Sequence, residues 1–309
     1  MKRLVLLVAL CACGGGGGGG GGGDDDDPGA PDAAAEEAVC QLPEGPTYLL
    51  TSLGIAPGDE GFDLDGDDVV DNSFGDFPFL TRLAVNAGYQ DSLDAGEWVV
   101  GTLQDEWSEP PVADDADTGL HILTLVDADV PDDVSNDRSG GSFWASPLFL
   151  DLDCQSTSRT PGAIEDGLFT GQRDRLDFPL NTGTGSVEMV NLHIEMQYSE
   201  DFTTAAGRFG SYLTMCSLSA VPLPLPGNDG GSVLDYIANN DLADAVDGDL
   251  DGDGLEQVVG DGTGILQCVD GDGTIIEGSD CPCYPEIADA FSSTVSFEVL
   301  QVPVLGLQE

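Results

Sequence analysis

The chain has 309 residues, of which 58 are acidic and only 8 basic, for a formal net charge of −50 at pH 7, and 40% of it is apolar. That length and apolar content can fill a packed core, so disorder throughout is excluded. Nucleic acid is excluded as a partner, because its phosphates need the Lys and Arg that the chain lacks.

Met1 to Leu10, MKRLVLLVAL, places two basic residues before an apolar stretch too short to span a bilayer. Residues 1–12 therefore read as an export signal peptide. The following Leu10-Cys11-Ala12-Cys13 resembles the lipobox of bacterial lipoproteins, with Cys11 where that family has a small residue such as Ala or Ser. The resemblance implies lipidation of Cys13, a membrane partner reached through the lipid anchor, and loss of the single lysine, Lys2, with the leader. Gly14 follows the cysteine, a pattern that in this family goes with the outer membrane or cell surface. Residues 13–39 hold ten consecutive glycines (Gly14 to Gly23) and then DDDDPGAP. Such a segment cannot bury a core and reads as a flexible, self-repelling tether, roughly 28 Å long as a random coil.

Beyond the tether, residues 40–230 are expected to form a β-sandwich domain. Residues 231–309 are expected to be a segment rich in calcium loops and disulfides, ending in a strand that packs on the main domain. The strands, in order, are Thr47 to Leu53, Glu97 to Gln104, Leu120 to Asp127, Pro147 to Asp153, Arg175 to Leu180, Ser186 to Ser199, Ser211 to Leu223 and Ser293 to Val302. The clearest is Ser186 to Ser199, where Val190, Leu192, Ile194, Met196 and Tyr198 alternate with polar residues. With the strand before it, and Asn181 to Gly185 as a turn, it predicts a hairpin. Helices are few. One follows Asp76 as N-cap and stops at Gly88, burying Leu80, Leu83, Ala84 and Ala87; a second starts at Ser232. Short strands between Gly, Pro, Asp and Asn clusters point to a mainly β fold, a jelly-roll-like sandwich.

Six cysteines remain after Cys13: Cys40, Cys154, Cys216, Cys268, Cys281 and Cys283. An even number in an exported chain reads as three disulfides, the short glycine-rich loop favouring Cys268 with Cys281 or Cys283. A thiolate metal site at Cys281 and Cys283 is the rival, opposed by the oxidising compartment and the lack of a nearby His.

Phe62 to Asn72, FDLDGDDVVDN, carries five Asp in nine positions. With Asp63 at position one, Asp65, Asp67 and Asp71 fall at three, five and nine and the Val69 carbonyl at seven, the oxygen spacing of a calcium loop. The stretch resembles thrombospondin type 3 repeats and EF-hand-like loops, although Asp68 stands at the usual glycine and Phe74 replaces the terminal Glu. A second run repeats the core with Asp247, Asp249, Asp251 and Asp253, and a looser third offers Asp270 and Asp272. Close carboxylates repel by about 1 kcal/mol per pair in water and about 4 kcal/mol near a protein surface, so calcium is the expected cofactor. Solvated turns, or a surface adapted to salt, are the plainer accounts of the acidity.

Two histidines and no recognisable nucleophile, zinc or phosphate-loop motif argue against an enzyme. His121 and His193 read as structural. Trp144, beside Arg138, could contact a glycan or a protein ligand. The expected function is a lipid-anchored cell-surface module for binding, adhesion or envelope structure, with a lipid-anchored, glycosidase-like hydrolase as the alternative.

Overall fold

The computed structural model describes residues 40–96, 99–107, 111–128, 141–151, 153–179, 186–220, 232–239, 247–250, 258–260, 266–269, 274–276 and 289–308. The signal peptide, Cys13 and the tether lie outside these, as do Asp251, Asp253, Asp270, Asp272, Cys281, Cys283 and Arg138.

The strands are β1 (Thr47–Ile55), β2 (Val100–Asp105), β3 (Asp115–Asp127), β4 (Phe143–Ala145), β5 (Thr160–Glu165), β6 (Leu168–Pro179), β7 (Ser186–Tyr198), β8 (Thr204–Thr214), β9 (Gly248–Asp249), β10 (Val258–Gly260), β11 (Leu266–Val269), β12 (Ile275–Ile276), β13 (Asp289–Val302) and β14 (Val304–Leu307). Eight of them pair in the ring β3-β2-β1-β13-β8-β7-β6-β5, and β5 returns to β3. Every junction is antiparallel. The fold is therefore a closed barrel, not the expected sandwich. Alternation could not separate the two, since each buries one face of every strand. Closure depends on β3, thirteen residues long, whose first half pairs β5 and whose second half pairs β2.

The hairpin of β6 and β7 forms over the expected residues. In β7, however, Asn191 has φ +52° and the register slips between Val190 and His193. This bulge inverts the alternation. Leu192, Ile194, Met196 and Tyr198 stay in the main core, whereas Val190, assigned there by the sequence, packs with a separate cluster of Phe62, Leu64, Tyr212 and Ala290.

Three expected elements differ. Pro147 to Asp153 is a 3-10 turn, Pro147–Phe149, because Pro cannot donate to a ladder and Ser146 caps the turn by accepting from Leu148 N. The strand at Ser211 ends at Thr214 and becomes the helix α2 (Met215–Ala220). The longest helix among the described residues, α1 (Phe79–Asp94), has Pro78 rather than Asp76 at its N-cap and runs through Gly88. It buries Val85 and Leu93 and leaves Leu83 54% exposed, the reverse of the amphipathic reading. The third helix, α3 (Val233–Asn239), starts as expected: Ser232 Oγ accepts from Asp235 N while Asp235 accepts from Ser232 N.

Outside the ring, Leu49, Leu103, Leu123, Phe143 and Phe149 form a second core on the opposite face of β1 to β3. The loop after Phe149 is stapled to the start of the domain by the disulfide Cys40–Cys154, with the Cα atoms 5.2 Å apart. Cys216 and Cys268 are disulfide-bonded too.

Candidate metal centre

The first aspartate run leaves β1 and closes on itself. Phe62 and Asp71 form an isolated antiparallel bridge, with Asp71 N donating to Phe62 O at 2.7 Å. Ring, cation–π and hydrogen-bond contacts then fix the neck on the barrel. Phe62 lies 5.6 Å from the His193 ring and 4.8 Å beneath the Arg208 guanidinium, and Asn191, freed by the bulge in β7, donates to Leu64 O. At Gly210 a Cβ would overlap the Phe62 ring, so only glycine lets the loop seat there.

Within the loop the carboxylates organise the main chain. Asp63 Oδ1 accepts from Gly66 N at 2.6 Å and its Oδ2 from Asp68 N at 2.9 Å, while Asp65 Oδ1 accepts from Asp67 N at 3.0 Å. Asp71 Oδ2 accepts from Leu64 N at 2.5 Å. One oxygen each from Asp63, Asp65 and Asp71 lies within 4.8 Å of the others. Calcium takes its oxygens at about 2.3–2.6 Å, so ligands on opposite sides of one ion sit up to roughly 5 Å apart, and this trio fits that size. Asp67 is not in the trio; its Oδ1 accepts from Val69 N at 2.8 Å, and it is exposed. Val69 is 59% exposed at the loop tip.

The structure also brings the second run to the first. The short strand β9 pairs the start of β13, setting Asp249 opposite Asp289 and Gly248 opposite Ala290. Asp247 accepts from Ser292 N at 2.8 Å and from Ser73 Oγ at 3.2 Å. From there its charge acts on Asp71, whose carboxyl is raised above its ordinary range by burial, then by Asp65 and Asp247, against the opposing Leu64 N–H. Tyr212, which hydrogen-bonds Asp71, is likewise raised, chiefly by burial and then by Asp71, Asp247 and Asp65. The sequence treats the two runs as separate loops. Only the pairing of β9 with β13 makes them neighbours, and nothing local in the sequence signals it.

A second constellation has no counterpart in the sequence reading. His121 Nδ1 is 2.7 Å from Ser156 Oγ, and its Nε2 is 2.8 Å from Asp105 Oδ2, off the line of a straight hydrogen bond. Asp105 Oδ2 also accepts from Arg159 Nε at 2.8 Å, and Arg159 pairs with Glu106 at 2.5 Å. The imidazole is only 2% exposed, and burial lowers its pKa against the pull of Asp105, so it is neutral at pH 7. The residues come from β2, β3 and the stapled loop, too far apart in the chain for any motif to reveal them. His193, on the outer face of β7, is lowered by burial too. Trp144 sits in β4 at 36% exposure, and Asp114 accepts from Asp166 N at 2.9 Å, tying down the acidic run before β3.

No family model, curated protein or solved structure matches this chain.

Proposed function

We propose that this chain is an exported, lipid-anchored protein of the cell surface whose β-barrel is a binding, adhesive or structural module stabilised by calcium. Leu10 to Cys13 and the Gly/Asp tether support the anchor. The observation that carries the metal part is the convergence of Asp63, Asp65 and Asp71 oxygens within 4.8 Å, with Asp247 close enough to act on Asp71. A divalent cation there would offset both the burial and the neighbouring charges that raise Asp71, and would tie the loop after β1 to the segment of Asp247 and β9.

Thermal unfolding with calcium and with chelator tests this. At free calcium ten times the dissociation constant, linkage gives about 1.4 kcal/mol per site. The midpoint should rise with calcium in the native chain and lose that response in Asp65→Asn/Asp71→Asn. A midpoint indifferent to calcium would remove the reading.

A second reading, a lipid-anchored hydrolase, is favoured by the order Ser156, His121, Asp105, which has the atoms of a nucleophile, a base and an orienting acid. Labelling of Ser156 by a fluorophosphonate, lost in Ser156→Ala, would establish it. The arrangement as a brace for the stapled loop predicts no labelling.

A further inference from the structure

Six of the eight staves line a cavity of about 80 Å³, and none of its wall residues among those described belongs to either site above. Its wall is formed by Leu50 of β1, Leu120 of β3, Ile194 of β7, Phe209 of β8, Phe297 of β13 and their neighbours, with Thr102 of β2 the one polar side chain there among the described residues. Thr102 is 8% exposed, and its hydroxyl has no hydrogen-bond partner. Tight β-barrels of eight strands hold either packed side chains or one small ligand.

Water does not suit this space. A buried water needs two to four polar partners, and among the described residues the wall could offer at most the one hydroxyl of Thr102. An ion suits it less. Among the described residues the wall has no charged group, so a buried carboxylate or ammonium would lie unpaired, and a chain of net charge −50 further repels anions. The volume is about half the 150 Å³ of an apolar cavity that admits benzene, which limits the enclosed part of an occupant to roughly three to five non-hydrogen atoms. Thr102 presents its methyl to the cavity; a step to another staggered rotamer about Cα–Cβ brings the hydroxyl to the methyl's place, the methyl moving to that of the hydrogen, and a guest oxygen would then satisfy the unpartnered group.

We infer that the barrel interior is a binding site for a small uncharged hydrocarbon, or the end of a longer one, bearing a single hydroxyl or carbonyl held by Thr102. This rests on the barrel and not on the calcium reading.

The test is a titration of the folded protein with 1-butanol, butane-saturated buffer, butyrate and butylamine, followed by methyl NMR of Leu, Ile and Thr side chains, with calcium and with chelator. Saturable shifts at Leu50, Ile194 and Thr102 are expected for butanol and butane and not for the two ions. In Thr102→Val, which keeps the shape, butanol should weaken about fivefold and butane should hold. Leu120→Phe, which fills the space, should abolish both. The inference fails if no probe shifts these methyls saturably, if the ions bind as well as butanol, or if Thr102→Val leaves butanol unchanged. Failure of the calcium reading would show in the metal arm alone.

Discussion

At the scale of single residues, His121 sets a pH dependence of definite sign. Burial lowers its pKa in the fold, whereas in the unfolded chain it titrates near 6.5. As pH falls through about 6.5 the unfolded chain takes up a proton that the folded form refuses, so stability drops. The loss levels off once the pH passes the lowered folded value. Urea midpoints between pH 7.5 and about 5 should therefore fall, and His121→Gln, which keeps an amide to meet Ser156 and Asp105, should flatten the slope. A residual slope of the same sign remains from His193, whose pKa is lowered by burial as well. If the variant titrates like the parent, His121 is not the group responsible. None of this was readable from sequence, where His121 is one polar residue at the start of an apolar run. Its partners Asp105 and Ser156 become visible only when β2, β3 and the stapled loop meet. The members of the acidic trio, by contrast, could be named from spacing alone, because the offsets that a calcium loop would require are local in the chain.

At the scale of elements, legibility followed the pattern of side chains. β7 and β13 announce themselves by β-branched and apolar residues in alternation, and β1 by a short run of them. Thr160–Glu165 and the first half of β6 do not, since TPGAIE and LFTGQRD interleave glycine and charge where a wall strand elsewhere carries Val or Leu. The turn between them was the available signal. Asp166 and Gly167 both have positive φ, +51° and +75°, as the tight two-residue hairpin of an Asp-Gly pair requires. Gly167→Ala places a Cβ in that region and should cost about 1 kcal/mol in urea denaturation. An unchanged midpoint would mean the turn relaxes freely. The helix α1 was misread for a related reason: it lies along β1, where Asn86 and Gln90 bond to Ile55 and Thr51, so its inward face follows polar anchors and not the Leu83 stripe.

At the scale of the whole molecule, charge decides the conditions under which the ring holds. A net charge of −50 on one chain repels itself at any low ionic strength, and screening over a Debye length of about 3 Å near 1 M salt relieves it. The melting midpoint should therefore climb with NaCl. If the trio binds calcium in particular, saturating calcium adds a further rise at every salt level. If that increment vanishes in about 1 M NaCl, the acids act as diffuse charge only.

The position of β13 fixes the order in which the wall can be completed. Thr47 lies across from Val302, and Thr204 across from Leu300, so one late stave bridges the earliest strand and the eighth. Every strand from β1 to β8 emerges from the ribosome before the plank that joins them, and until it arrives two raw edges face whatever is nearby. The ring is thus shut by its keystone only after nearly all its masonry is laid, and a chain being threaded through a narrow passage stays open for most of the journey.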